Sequence, residues 1–591
     1  MLDFMGSSSI FLHFIYYCII RRAMEYVNIN INGDVLTGVT SYTPEQIREY
    51  TEKGYWLNET YEDVLMKVVQ KQPNKLFVVD QFARLTYRQF KEKVDCCAAF
   101  YKKIGIKKYD RIIVQLPNRH EFLIVLFALK KIGAIPVLAV PRQDTFEINQ
   151  IIDLIGAIGW ITSDWDGTHD LLPRISEVRS KNEQLSFVLM IGEQDRFPQG
   201  THDVMAAIEE VTDQEVATVK HEKPDPNDVA LIILTGGTTG VPKAVPRTHN
   251  SILANIRYIS HMHTDHDVSL LTTPVGHGMA HQGAIGCTLM KGGTLVICDS
   301  PRPEDILKAV HYEKVTRLTL VPTQLIGILE HPYLDQFDLS SLKYVRAGGA
   351  SLHSDIFIKA TEFFHSFGCT VGGSAYGSSE GPSAHHLTTP NGELVKSIGK
   401  PVVDGDHWIA LGENEEVLQP NEIGELAVKG PGVFTGYYNS EKENEQVFTK
   451  TGYYKTGDVG KIDENGFIFI TGRKKDIIQR GAEGIIPSEM EDLIAQHPAV
   501  DQVAVVAMPD PYMGERACAY VILHKQEKIN DIKLKDITDF LKEKGAGVLL
   551  WPERLEIIDE FPLTNVGKLD KKALRKNIHK KLIQEGVLEK D

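Results

Sequence analysis

The stretch LTGGTTGVPK, residues 234–243, concentrates groups suited to holding phosphate. Gly236, Gly237 and Gly240 free the backbone to turn tightly and bring amide N–H groups close to a ligand. Thr235, Thr238 and Thr239 add hydroxyl donors, and Lys243 adds a point charge. The preceding run VALIIL, Val229 to Leu234, reads as a buried strand that launches the loop. A Walker A loop would end in Gly-Lys-Ser/Thr, whereas this one continues Pro242-Lys243-Ala244. The plain alternative is a flexible Gly/Thr surface loop, and the blocks that accompany it decide between the two.

Three further blocks follow: SAYGSSEGP at 374–382, YYKTGDVGKIDENGFIFITGRKKD at 453–476 and PLTNVGKLDKKAL at 562–574. In this order and at these separations the four blocks resemble the adenylate-forming superfamily of acyl- and aryl-CoA synthetases, peptide-synthetase adenylation domains and luciferases. The resemblance covers nearly the whole chain from about Met24 onward. Within the superfamily the layout is similar to stand-alone aryl-acid adenylating enzymes, the 2,3-dihydroxybenzoate- and salicylate-AMP ligases. That narrower likeness is carried by VQLPNRHEFLIVLFALKKIGAIPVLAVP (114–141) and KAVPRTHN (243–250).

The resemblance implies a reaction in which a carboxylate attacks the α-phosphorus of ATP and pyrophosphate leaves, an electrostatic problem of bringing anions together. It implies that the Gly/Thr loop cradles the β- and γ-phosphates and that Glu380 holds Mg²⁺. Ser379 stands where relatives more usually have threonine and keeps the hydroxyl. Tyr376 offers a flat face for adenine, with the Ala375 backbone and Gly377 beside it. Asp458, an ionised bidentate acceptor, would take both ribose hydroxyls, and Arg473 a second ribose contact. Lys568, directly after Gly567, matches the lysine that neutralises charge between carboxylate and α-phosphate; alone, beside Lys571, Lys572 and Arg575, it would read as surface decoration. For transfer to a thiol, Gly481 matches the floor of a pantetheine channel and Lys475 the hinge of a mobile lid. Ala482-Glu483-Gly484 departs from the usual Gly-Glu-Lys or Gly-Glu-Asn of relatives, which weakens detailed statements about thiol contacts.

The acid pocket is expected in TPVGHGMAHQGAIG, residues 273–286, with His277 as a gate between nucleotide and acyl group, followed by Gly278 and Met279. Amino-acid-activating relatives place an aspartate where Gly278 stands. A buried ammonium lacking that counter-charge would cost several kcal/mol, which argues against an α-amino acid. Dihydroxybenzoate and salicylate ligases have asparagine there, so the glycine also puts those two acids in doubt and leaves room for a larger or differently substituted aryl acid, or an aliphatic one. Gly348, Gly349 and Ala350 should form the opposite wall and approach the adenine. HMHTDHD (261–267), the His277/His281 pair and His385-His386 invite a zinc reading. No Cys partners or HExxH glutamate accompany them, so solvated polar residues are the expectation.

At 591 residues, 42% hydrophobic and 24% charged, the chain suits a soluble globular enzyme of more than one domain. A net charge of −15 argues against nucleic acid as a partner. Seven scattered cysteines fit a reducing cytosol. The apolar run IFLHFIYYCII (10–20) is too short to span a bilayer and has its arginines after it, unlike a signal peptide. Residues 1–23 are read as an upstream or disordered extension, with Met24 as the natural start; a cytoplasmic place without stable membrane insertion is expected.

From Tyr87 to Val140 helical and strand periods alternate: a helix over 87–104, strand RIIVQLP, a helix over 121–132 and strand AIPVLAV. The pattern recurs over 270–342. This predicts an α/β fold with layered, mostly parallel sheets. After Gly399 short strands with Gly and Asn turns predict a small β unit. The expected organisation is an AMP-binding domain over 24–472, a hinge at 473–476 and an α+β lid over 477–591. The lid would hold a capped helix in PSEMEDLIAQHP and strands in VDQVAVVAMPD and ACAYVILHK. The resulting expectation is an acid–AMP ligase using ATP and Mg²⁺ that passes its acyl group to CoA or to phosphopantetheine on a carrier protein, as in siderophore or secondary-metabolite biosynthesis. A medium- or long-chain fatty acyl-CoA ligase is the nearest rival. A luciferase-like oxidase is disfavoured by a VLEKD terminus without a peroxisomal address, and a silent binding module by the joint presence of Lys243, Glu380, Asp458, Arg473 and Lys568.

Overall fold

The computed structural model describes residues 36–165, 170–235, 242–349, 354–386, 388–481, 483–524, 532–564 and 569–588. Gly236, Gly237, Thr238, Thr239, Gly240, Ala350, Ala482 and Lys568, together with the 1–23 extension, lie outside the described residues. From Gly38 onward the chain belongs to one compact unit.

Two large sheets carry the α/β character. One has nine strands, with a parallel centre formed by Thr370–Gly377, Tyr344–Gly348, Arg317–Leu320, Val268–Leu271, Thr294–Ile297 and Leu76–Val79. The other has seven strands, parallel except for the antiparallel pair Val229–Thr235 and Lys243–Thr248. Between them a continuous apolar core joins Phe77, Leu271 and Leu295 of the first to Ile112, Leu138 and Leu231 of the second. The helix His120–Lys131 lies in this core with all twelve residues buried, which is why its sequence is apolar on every side.

Local signals set the boundaries. The helix Tyr87–Ile104 starts at a capping box, where Thr86 and Gln89 satisfy each other's backbone N–H, and stops at Gly105 with φ +97°. Burying the helix His120–Lys131 also buries two lysines. Lys131 meets Glu62 at 2.6 Å and Asp95 at 3.3 Å. Lys130 instead lies 3.5 Å from the centre of the Tyr61 ring and 3.1 Å from His281 Nε2, and burial drives its ammonium pKa well down.

After Gly399 the expected small β unit is a four-stranded antiparallel sheet, His407–Leu411, Gly424–Lys429, Tyr454–Ile462 and Ile468–Arg473. Beyond it a five-stranded sheet with two apolar cores of its own spans 478–557, built on the long hairpin Val500–Asp510 and Gly514–Leu523. The helix expected over 487–498 runs Pro487–Ile494 and lacks the expected side-chain cap. Its Ser488 hydroxyl instead donates to the Thr471 carbonyl, tying this sheet's first helix to the preceding strand.

Candidate active site

Thr235 and Lys243 face each other in register across the two strands that flank the Gly/Thr loop. Lys243 Nζ sits 4.8 Å from the centre of the Tyr437 ring and pairs with Glu443. A cavity of about 240 Å³ opens here, lined among others by Lys243, Tyr437, Tyr454, Lys455 and Lys474.

Glu380 lies on the loop after the strand Thr370–Gly377 and is 8% exposed. The Tyr437 hydroxyl donates to its Oε1 at 2.8 Å, and the Tyr454 hydroxyl lies 3.2 Å from that of Tyr437. This loop hangs from the interior. Buried Arg247 donates to Ser379 O at 3.0 Å and to Gly432 O at 2.7 Å, and Asn255 donates to Gly381 O at 2.6 Å. Gly381 has φ +115°, and a Cβ there would fall 2.0 Å from Gly432 O, so the approach of the two backbones requires glycine. Asp406, wholly buried, accepts from Gly432 N at 2.9 Å. Burial pushes its carboxyl up to about 7, against the opposing pull of that hydrogen bond and of Arg247. Within the loop, the buried Ser378 hydroxyl has no hydrogen-bond partner among the described residues.

Tyr376 stands edge-on to Trp408 at 5.8 Å and donates its hydroxyl to Asp458 Oδ2 at 2.6 Å. Asp458 is 3% exposed, and its Oδ1 accepts from Arg473 Nε at 2.9 Å. Burial raises the Asp458 carboxyl, partly offset by Arg473 and Tyr376. Tyr376, Asp458 and Arg473 are thus brought together, although 82 residues separate the first two. Among the described residues a Cβ on Gly377 would meet nothing within 4 Å, leaving space beside this group.

The residues expected to line the acid pocket also lie near one another. Residues Ala280–Gly286 form a π-helical segment, entered through His277, whose Nδ1 accepts from Met279 N at 3.2 Å and whose carbonyl accepts from His281 N at 3.2 Å. A Cβ on Gly278 would have Ile233 Cδ1, Ser379 Oγ and Gln282 Nε2 as its nearest neighbours, at 3.7, 3.8 and 4.0 Å. Across the slot Gly348 pairs with Ala375, and a Cβ on it would meet Met279 Sδ at 3.6 Å. Gly349, next in the chain, has φ +83°. His281 points elsewhere: it is fully buried, with its Nε2 2.8 Å from the Tyr61 hydroxyl. HMHTDHD is a turn closed by Asp267, which accepts from Thr264 N at 2.8 Å and pairs with Arg317 at 2.9 Å.

Lys475 is exposed in the short turn Lys474–Asp476, and Asp476 pairs with Arg575 at 2.8 Å. Gly481, with φ +62°, donates its N–H to Met513 O at 2.7 Å; a Cβ on it would lie 3.3 Å from the end of the Met513 side chain.

Arg247, Asn255, Ser378, Asp406, Tyr437, Tyr454 and Gln282 were not singled out from sequence. Arg247 lies inside KAVPRTHN, but its partners 132 and 185 residues away leave no local trace.

Residues 65–438 match the AMP-binding enzyme family and residues 489–568 the AMP-binding enzyme C-terminal domain. This chain belongs to the AMP-binding enzyme family. It is 33% identical over 556 residues to the 2,3-dihydroxybenzoate-AMP ligase of Bacillus subtilis, covering 93% of this chain and 99% of that one. Against a salicylyl-CoA synthase / salicylate adenylyltransferase from a Streptomyces species, identity is 31%, with 91% and 97% covered. The apo structure of MbtA from Mycobacterium smegmatis superposes with a TM-score of 0.68 at 28% identity, covering 92% and 99%. The chain is an ATP-using, adenylate-forming enzyme that joins a carboxylic acid to AMP. Among the described residues no helix is long and apolar enough to cross a membrane.

Proposed function

We propose that this ligase activates an aromatic carboxylic acid with ATP and Mg²⁺ in the cytoplasm, for transfer to the phosphopantetheine thiol of a carrier protein or to CoA in siderophore or related secondary metabolism. The observation that carries the reading is the sharing of one loop by two sites. Ser379 borders the slot at Gly278, and the next residue, Glu380, faces the lysine-lined cavity through Tyr437. A carboxylate in the slot therefore lies beside a polyphosphate held at Lys243.

The acid oxygen attacks the α-phosphorus and the bond to pyrophosphate breaks, giving the mixed anhydride. Lys243 would exchange Glu443 for phosphate oxygens, and the unpartnered Ser378 hydroxyl supplies a further donor. Glu380 fits Mg²⁺: it offers hard oxygen ligands, one of them fixed by Tyr437. The ion supplies neutralisation of phosphate charge. Asp458, Arg473 and Tyr376 form a ready set of donors and acceptors for a ribose, with open space at Gly377 for the base. The slot walls at Ile233, Met279, Gly348 and Ala375 are apolar or bare backbone, which suits a flat ring. Gly278 excludes the counter-charge an α-amino acid needs. Residues 24–472 serve as the AMP-binding body and 477–591 as a lid that pivots at 473–476, with Lys475 as the hinge and Gly481 lining the thiol channel.

Pyrophosphate exchange across matched aryl and aliphatic acids tests the substrate; stimulation by aliphatic acids alone overturns the aromatic reading. Lys568→Ala tests the lid. It should abolish adenylate formation while sparing thiol transfer from a supplied acyl-adenylate, and equal loss of both half-reactions contradicts that role.

A further inference from the structure

Strand alternation puts Val345 and Ala347 into the apolar core on one face of the strand Tyr344–Gly348, so Arg346 and Gly348 share the other. That second face is the one toward the π-helical segment. A Cβ on Gly348 would approach Met279 Sδ, and among the described residues a Cβ on Gly283 would meet Arg346 Nη2 alone, at 3.7 Å. Strand and helical segment thus stand face to face, and Gly278 and Gly283 leave the two ends of that face without side chains. They lie five positions apart, about 7 Å at the α-helical rise and less where the segment is π-helical, comparable with a benzoate from its carboxyl carbon to a para substituent.

Arg346 closes the far end, away from Ser379. Among the described side chains no carboxylate lies within ion-pair distance of its guanidinium. Its hydrogen-bond partner is His385 Nδ1, at 3.4 Å from Nη1. Burial, and then Arg346 itself, push His385 down to about 3, so at neutral pH the imidazole is uncharged and accepts without cancelling the charge. By contrast Arg317 on the neighbouring strand is matched by Asp267 at 2.9 Å. A half-buried cation without a counter-ion is costly unless a bound group supplies one.

We infer that the acid activated by this enzyme is an aromatic acid carrying a second, ring-borne anionic oxygen group distal to the activated carboxylate, and that Arg346 receives it. The inference rests on the aromatic-acid reading above and refines it. Arg346 is then a specificity residue at the far end of the slot, and Gly283 keeps the path to it open.

The test is pyrophosphate exchange with benzene-1,4-dicarboxylate, 4-hydroxybenzoate, benzoate and 4-methylbenzoate on the wild type, Arg346→Met and Arg346→Lys. The wild type should favour the dicarboxylate over 4-methylbenzoate by about 10- to 100-fold in kcat/KM, the worth of a charge-assisted contact. Arg346→Met should erase or reverse that ratio while exchange with 4-methylbenzoate persists, and Arg346→Lys should keep part of it. Equal use of the two acids by the wild type, a preference for 4-methylbenzoate, or an unchanged ratio in Arg346→Met overturns the inference and leaves aromatic-acid activation standing. No exchange with any aromatic acid overturns the aromatic reading, and this inference with it. The wild-type ratio decides the matter alone if the variants do not fold.

Discussion

Gly278→Ala should make the protein more stable and a poorer enzyme. The added methyl finds nothing nearer than 3.7 Å, which is ordinary contact distance, so it brings no steric cost. The position opens the helical turn leading into Ala280–Gly286 and has no positive φ, so replacing glycine relieves unfolded-state entropy worth about 0.5–1 kcal/mol. The same methyl projects between Ile233, Ser379 and Gln282, where the acid is to lie. Filling a pocket by one methyl-sized group is worth about 1–3 kcal/mol in transition-state discrimination, or 10- to 200-fold in kcat/KM for the preferred acid. Urea denaturation gives the first quantity and pyrophosphate exchange the second. The expected result is a midpoint at or above wild type with exchange reduced at least tenfold, and a smaller reduction for slimmer acids. An unchanged kcat/KM for every acid would show that Gly278 does not face the substrate. A large loss of stability would show that the space beside it is not open.

Gly381→Ala should do the opposite, because φ +115° is outside the range of L side chains and its Cβ would sit 2.0 Å from Gly432 O. A destabilisation above about 4 kcal/mol is expected by denaturant titration, and a loss below 1 kcal/mol refutes the clamp. Asp406→Asn should change the pH dependence of stability. With a folded value raised from 3.8 to about 7, wild-type Asp406 contributes fully below pH 4, and the contribution is lost as pH climbs through 7. The variant should match wild type near pH 4 and exceed it near pH 8, by at most about 4 kcal/mol for a shift of about three units. A difference that does not vary with pH contradicts the buried-acid account.

The pattern of elements was readable because it is local. The helix Tyr87–Ile104 carries its start and stop in Thr86, Gln89 and Gly105, and the strand before the Gly/Thr loop announces itself as an apolar run. Fold class followed from such runs, and the family from the likeness of the motif blocks that carry Lys243, Tyr376, Glu380, Asp458 and Arg473. What was not readable is held by distant partners. Arg247 shows its importance only once Ser379 and Gly432 fold onto it, and Tyr437 only when its hydroxyl reaches Glu380, 57 residues away. The π-helical winding of Ala280–Gly286 has no helical signature in its sequence. Pro487 marked the start of the helix Pro487–Ile494 correctly, but Ser488 spends its hydroxyl on Thr471 rather than on a cap, a choice made by the neighbouring strand.

The clamp on Ser379 and Gly381 separates the upkeep of the site's two ends. The nucleotide end is anchored by Arg247, Asn255 and Gly432, deep in the body of the protein. The proposed acid slot runs from Gly278, beside Ser379, to Gly283 and Arg346, none of which takes part in that anchoring. Drift among those three positions can therefore redirect such a ligase to a new acid without first dismantling its phosphate chemistry, so selection can act on diet and on turnover one at a time.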